Sequence, residues 1–252
     1  MLTLSVIVIT KDAARTIRHC LASITWADEI IVLDSGSTDD TRAICAEYTP
    51  HVFVTDWPGF GVQKNRALAK ARGKWVLSLD ADEVLSDALS DQIKKIISDP
   101  TTASDAYRIK RISYFCGQKI NYGDWGQDTV IRLFKNKPTI QFSPVSVHER
   151  LVGYAQVKYL KQAIFHHTVT DIKQLLSKLD SYSTLGAELA YQQGKKTGVF
   201  KATWHGLWSF FRGYFLRFGF LDGRAGFILA FSNASGVFYR YIKLFYLYRT
   251  RT

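Results

Sequence analysis

Four acidic residues fall where runs of aliphatic and β-branched residues end. Asp12 follows LSVIVIT, Asp34 ends EIIVLD, Asp56 follows HVFVT, and Asp80 ends KWVLSLD and opens the cluster Asp80-Ala81-Asp82-Glu83. A D-x-D pair delivered by a strand can hold a divalent cation, Mg²⁺ or Mn²⁺, through oxygen ligands, and that cation would bridge a nucleotide diphosphate. Read alone, a short acidic triplet is also the solvated cap of a following helix, and a single Asp is common in turns. Four strand ends carrying an acid at one rim are harder to assign to turn chemistry.

The elements that must position these residues form an alternating series. Leu4 to Thr10 reads as a buried strand, Ala13 to Ile24 as a helix, Glu29 to Gly36 as a second strand, and Ser37 to Asp40 as capping residues for a helix through Tyr48. HVFVTDW, GVQKNRALAKARG and KWVLSLD continue as strand, helix and strand. This is the pattern of βαβ units and a mainly parallel sheet flanked by helices, an α/β fold. In such sheets ligands bind beyond the carboxyl ends of the strands, where the four acids lie. A helix is predicted over Asp87 to Ser98, strands over AYRIKRISYF and TVIRLFK with the loop GQKINYGDWGQD between them, and a long helix from about Asp171 to Gln193.

The chain has 252 residues, 47% hydrophobic and 22% charged, so it can bury a core and is too apolar for disorder. Cys20, Cys45 and Cys116 are widely spaced and odd in number, which suits neither a disulfide framework nor a CxxC metal site and points to a reducing compartment. The apolar start MLTLSVIVITKD lacks a basic leader region and a small-residue cleavage site, and reads as a first core strand. A net charge of +11 calls for an anionic partner. Beyond Gly198 Arg and Lys interleave with Phe, Tyr and Trp, and no uninterrupted apolar stretch is long enough to span a bilayer. Such a segment can lie in a membrane interface against anionic lipid, pack on the catalytic domain, or mediate dimerisation. No nucleic-acid-binding signature is present, and nucleic acid is not an expected partner.

SVIVITKD, VLDSGSTDDT, the QKN of Gln63 to Asn65 and SLDADE, in this order over roughly the first hundred residues, resemble glycosyltransferase family 2, which has the GT-A nucleotide-sugar-binding fold. The resemblance implies that Thr10, Asp12, Asp34, Asp56, Lys64 and Asp80 line the nucleotide of a UDP-sugar, with Asp34 near the uridine. It also implies that Asp80 and Asp82 hold diphosphate and metal, with His166 as a further metal ligand, and that Lys64 and Arg66 offset phosphate charge. DWPGFGVQKN, VIRLFK, SVHERL, IFHHTVTD, KLDSYSTLGAEL and LDGRAGF carry a further resemblance, to lipopolysaccharide core glucosyltransferases of the WaaE and LgtF type. These move glucose from UDP-glucose, with inversion, to a heptose of the inner core, a lipid-anchored acceptor at the cytoplasmic face of the inner membrane. A cytoplasmic, peripheral location is therefore expected. GDWGQD at Gly123 to Asp128 departs from that group's pattern and puts the acceptor in question more than the reaction.

Inverting transfer needs a general base for the acceptor hydroxyl. By the resemblance Glu149 is the first candidate and Asp128 the second, although Glu149 would also suit a surface ion pair with Arg150. His166 suits Mn²⁺ better than Mg²⁺ as an imidazole ligand, and suits a core or surface position equally well. Arg132 could support diphosphate or form an ordinary ion pair, and His148 is a further diphosphate or acceptor contact. Lys178 and Tyr182 lie one turn apart on the long helix and share a face, as acceptor contacts or as plain surface residues. The expected organisation is a GT-A domain over residues 1–195 and a helical, aromatic-rich, basic extension over 196–252. Another UDP-sugar, a capsule or glycoprotein acceptor, and a silent polysaccharide- or lipid-binding module that keeps the fold are the alternatives.

Overall fold

The computed structural model describes residues 2–126, 128–143 and 149–250. The chain divides into two compact units, Met1–Arg111 with Thr129–His166 and Ile112–Asp128 with His167–Thr252.

The first unit opens with β1 (Leu4–Thr10), α1 (Ile17–Ala22), β2 (Glu29–Asp34), α2 (Thr41–Ala46), β3 (Val52–Val54), α3 (Phe60–Leu68) and β4 (Trp75–Asp80). The four strands are parallel in the order β3-β2-β1-β4. All seven residues of β1 are buried because both faces are covered. Val6 and Val8 pack with Ile17, Cys20 and Leu21 of α1, while Ile7 and Ile9 pack on the other side with Ala67 of α3. A strand buried on both faces must be apolar throughout, which is why LSVIVIT shows no alternation.

The sheet then becomes mixed. The remaining elements up to the long helices are β5 (Glu83–Leu85), α4 (Asp87–Ser98), β6 (Ala106–Phe115), β7 (Gln118–Lys119), β8 (Asp128–Lys135), β9 (Gln141–Phe142), β10 (Leu151–Val152) and β11 (Val157–Val169). From β4 the sheet order continues β8-β6-β11-β5; β7 pairs with β6, and β9 pairs with β10 as a separate ribbon. β8 runs antiparallel to β4 with Leu133 opposite Leu77, and β5 runs antiparallel to β11 with Glu83 opposite His166.

Three helices are shorter than their sequence patterns predict: α3 ends at Leu68, short of Gly73, and α1 and α2 start late. Asp12 has φ 47°, and its amide donates to Ser37 Oγ while those of Ala13 and Ala14 donate to Thr41 Oγ1 and Asp39 Oδ2. With these amides held by the neighbouring loop, α1 starts only at Ile17. Ser37 and Asp39 are likewise committed to that loop, and α2 begins at Thr41 with no side-chain cap from Asp40.

The second unit contains α5 (Ile172–Gln192), α6 (Val199–Phe211), a π-helical turn over Arg212–Leu216, a 3₁₀ turn over Gly219–Asp222 and α7 (Gly223–Thr250). Phe115, Ile120, Val169 and Leu175 pack with Ala225 and Leu229. The buried Asp222 carboxylate accepts from the amides of Asn121 and Tyr122, and Asp124 accepts from Arg212, Arg217 and Asn233. The aromatic loop of the sequence is thus fastened to the helical segment through its own Asp124 and through Asp222 of the 3₁₀ turn. Among the described residues no helix is long and apolar enough to cross a membrane.

Candidate active site

Parallel pairing brings the carboxyl ends of β1, β2 and β4 to one edge, with Thr10 level with Asp34 and Ile9 level with Asp80. α4 takes its N-cap from Ser86, whose Oγ accepts from the Leu89 amide at 3.2 Å. The acids at 80 to 83 are therefore not that helix's cap.

They belong instead to a network of three cations and three carboxylates. Lys64 Nζ lies 2.9 Å from Asp80 Oδ1 and 2.6 Å from Glu149 Oε1. Arg132 Nη2 donates to Asp80 Oδ2 and, at 2.7 Å, to Glu83 Oε1, which also accepts from Arg111 Nη1 at 3.1 Å. Glu83 Oε2 accepts from the Asp80 amide at 3.1 Å, which closes the turn. Glu83 and Lys64 are almost wholly buried, whereas the side chains of Asp80 and Glu149 keep 30% and 17% of their surface open to solvent. Burial alone would raise the Asp80 pKa, but Arg132 and Lys64 hold it well below the usual carboxylate range. Burial opposes the charge of Arg132 as well, and Asp80 and Glu83 reverse that effect and raise its pKa. A buried cation is tolerable only with such partners. The network keeps Asp80 ionised at neutral pH and fixed in direction.

Three consecutive residues of α3 build this arrangement. Gln63 Nε2 donates to Ser35 Oγ and Thr55 Oγ1 beyond β2 and β3, Lys64 reaches the carboxylates, and Asn65 exchanges two hydrogen bonds of 2.7 and 2.8 Å with the Phe142 backbone. Asn65 thereby pins the strand that leads toward Glu149. Gly61, one turn earlier, admits that segment, since a Cβ there would stand 1.9 Å from the Ser143 carbonyl oxygen and 3.4 Å from Glu149 Cβ. Gly61→Ala is expected to displace the segment and cost about 1–3 kcal/mol, read as a lowered thermal midpoint together with reduced transfer.

Asp82 and His166 meet because β5 pairs with β11. His166 Nε2 lies 3.3 Å from Asp82 Oδ2. His167, pointing the other way along the strand, belongs to the second unit, where it stacks on Tyr114. Two ligands of one octahedral cation with bonds of about 2.1 Å stand roughly 3 Å apart, and a carboxylate with an imidazole suits Mn²⁺. The two groups fit a divalent cation, to which they would offer one carboxylate oxygen and one imidazole nitrogen. Among the described residues no group of three or more His, Cys, Asp or Glu forms a complete metal cage.

The other predicted residues take varied places. Asp34 is buried, and its carboxylate accepts from the amides of Gly36 and Ser37 and from Ser37 Oγ; as folded it shapes the turn. Asp12 Oδ1 accepts from the Thr38 amide and hydroxyl. Thr10 Oγ1 and Gln63 Oε1, close to Ser35, are buried with no hydrogen-bond partner, and an incoming ligand could satisfy both. Asp56 and Arg66 form an exposed ion pair at 2.7 Å. Asp128 opens β8 in the second unit. Lys178 Nζ donates to the Thr168 carbonyl at 2.7 Å, and Tyr182 is exposed on α5. His148 lies outside the described residues.

The sequence pattern points neither to Arg111 nor to a role for Glu83 within the cluster. Arg111 carried no signal of its own, because its role depends on β6 and β8 lying near β4, and the βαβ pattern did not extend that far.

A family model described as glycosyl transferase family 2 matches residues 5–150, more than half of the chain. A relative named uncharacterized glycosyltransferase, from Rickettsia felis, is 34% identical over 96% of this chain and 89% of its own length. The lipopolysaccharide core biosynthesis glycosyltransferase LpsC of Rhizobium meliloti is 27% identical over 95% and 93%. Among solved structures, S. aureus TarS 1-349 in complex with UDP-GlcNAc superposes with a TM-score of 0.53 at 16% identity, covering all of this chain and 93% of TarS 1-349. That likeness is one of fold, the GT-A fold. With the family match across both the parallel half of the sheet and the acidic rim, this chain belongs to glycosyl transferase family 2 and is a glycosyltransferase.

Proposed function

We propose that the enzyme moves a hexose, glucose from UDP-glucose, onto a heptose of the lipopolysaccharide inner core, with inversion and with metal assistance. The observation that carries the reading is the meeting of Asp80, Glu149 and Lys64, with Asp82, in the turn before β5, beside His166 of β11 in the same unit. UDP-GlcNAc in the TarS complex supports a nucleotide-sugar donor, and the name of LpsC supports a lipopolysaccharide core acceptor.

In this reading Thr10, Asp12 and Gln63 meet the nucleoside, while Asp34 holds their loop in shape. Asp82 and His166 would hold the divalent cation, with Asp80 alongside. When bound there, a cation would supply neutralisation of charge on the diphosphate. Glu149 takes the proton from the acceptor hydroxyl as that oxygen bonds to the anomeric carbon, and the bond from that carbon to the diphosphate oxygen breaks on the opposite side. Lys64 holds Glu149 in position before the acceptor arrives, and Arg132 and Arg111 keep Asp80 and Glu83 from repelling one another. Arg66, His148, Lys178 and Tyr182 remain candidates for phosphate or acceptor contacts, and Asp128 is the second candidate base.

The test is incubation with radiolabelled UDP-sugars and lipopolysaccharide from truncated-core strains. Label should pass from UDP-glucose to acceptor ending in heptose; label from another UDP-sugar, or on another glycan, would reassign donor or acceptor. Transfer from no UDP-sugar would overturn the reading.

A further inference from the structure

α6 is packed inside out for a helix in water. Its buried side is a stripe of small residues, Ala202, Gly206 and Ser209, continued by Gly213. A Cβ on Gly206 would meet Phe238 Cβ at 3.3 Å and the Ala234 carbonyl oxygen at 3.4 Å, so α6 lies close against the α7 backbone. Its large residues point outward: Phe200, Trp204 and Leu207 are 86%, 62% and 63% exposed, followed by Trp208 and Phe211. These five positions recur at helical spacing and form one face. The π-helical turn continues it with Phe215 and Leu216, also exposed. Helices that pack through small residues and turn large apolar ones outward are the usual arrangement where the outer solvent is lipid.

Charge identifies the occupant. Residues 193–252 hold ten Lys and Arg and a single acid, Asp222, whose carboxylate is taken by the Asn121 and Tyr122 amides. Most of the chain's net +11 therefore lies in the part that exposes the aromatic face. A second copy would bring like charge against like; an anionic surface is complementary. A helix of 13 residues is about 20 Å long, short of the roughly 30 Å hydrocarbon core, so it can lie in the interface but not span it.

We infer that the Phe200, Trp204, Leu207, Trp208, Phe211 face of α6 seats the enzyme in the headgroup region of an anionic bilayer, with the flanking Lys and Arg against lipid phosphates. This inference is independent of the transfer chemistry. The experiment is flotation of the full chain with phosphatidylcholine vesicles, with and without phosphatidylglycerol, at low and high salt. The variant is Trp204→Ser/Trp208→Ser/Phe211→Ser, with far-UV circular dichroism and UDP titration run alongside so that a failed fold or a failed sugar site is read separately. Wild type should float with phosphatidylglycerol vesicles, bind more weakly in high salt, and lose about tenfold or more in affinity in the triple variant. Should the triple variant not fold, Phe200→Ser, at the most exposed of these positions, should still bind measurably more weakly. Failure of wild type to bind anionic vesicles at low salt overturns the inference. So does unchanged binding by the folded triple variant or by Phe200→Ser, or a wild-type dimer that the triple substitution dissociates.

Discussion

Glu149→Gln is expected to lower kcat by about 10²–10⁴-fold while changing UDP affinity little, because a base acts in the transition state and not on the bound nucleotide. Gln keeps the shape and a carbonyl oxygen for Lys64, whose ion pair with Asp80 at 2.9 Å persists, so the fold should survive. Steady-state kinetics beside calorimetric UDP binding separates the two effects. Asp128→Asn is the matched control. Should it cost as much as the reading assigns to Glu149, with Glu149→Gln nearly silent, the base is Asp128.

Asp82→Asn should lose about two to three orders of magnitude of metal-stimulated turnover, since a cation held by Asp82 would supply several kcal/mol of charge stabilisation at the diphosphate. Asn can still bond to His166 across the 3.3 Å gap, so circular dichroism and thermal midpoint should match wild type. The readout is turnover against Mn²⁺ concentration: the variant should need far more metal, or show no stimulation. An unchanged metal curve would remove Asp82 from the site.

Much of the parallel half of the sheet was legible because local signals agreed there. The strand LSVIVIT and the helix Asp87 to Ser98, which Ser86 caps, match β1 and α4 residue for residue. AYRIKRISYF is likewise β6 in full. The patterns of α1, α2 and α3 overrun the helices, which for α1 is because helical composition does not reveal that the amides of Asp12 to Ala14 are claimed by residues some 25 positions away. The acidic cluster was legible as a strand-end feature, but the division of labour within it was not. Asp80 and Glu83 share Arg132 only because β8 lies antiparallel beside β4, and Asp82 reaches His166 only because β5 pairs with β11. Those pairings join residues 49 or more positions apart, beyond the reach of periodicity. The aromatic tail posed the reverse difficulty. Its rings recur at helical spacing, which in water predicts a core face, whereas the small residues at 202, 206 and 209 take the packed side and the rings face out.

The proposed transfer depends above all on Asp80, Asp82 and His166 forming a metal-assisted nucleotide site. Calorimetric titration of UDP into the wild-type enzyme and Asp82→Asn, each with and without Mn²⁺, tests it most directly. Mn²⁺ is expected to tighten UDP binding markedly in the wild type and little in Asp82→Asn. Absence of UDP binding, or binding that Mn²⁺ leaves unchanged in the wild type, would contradict it.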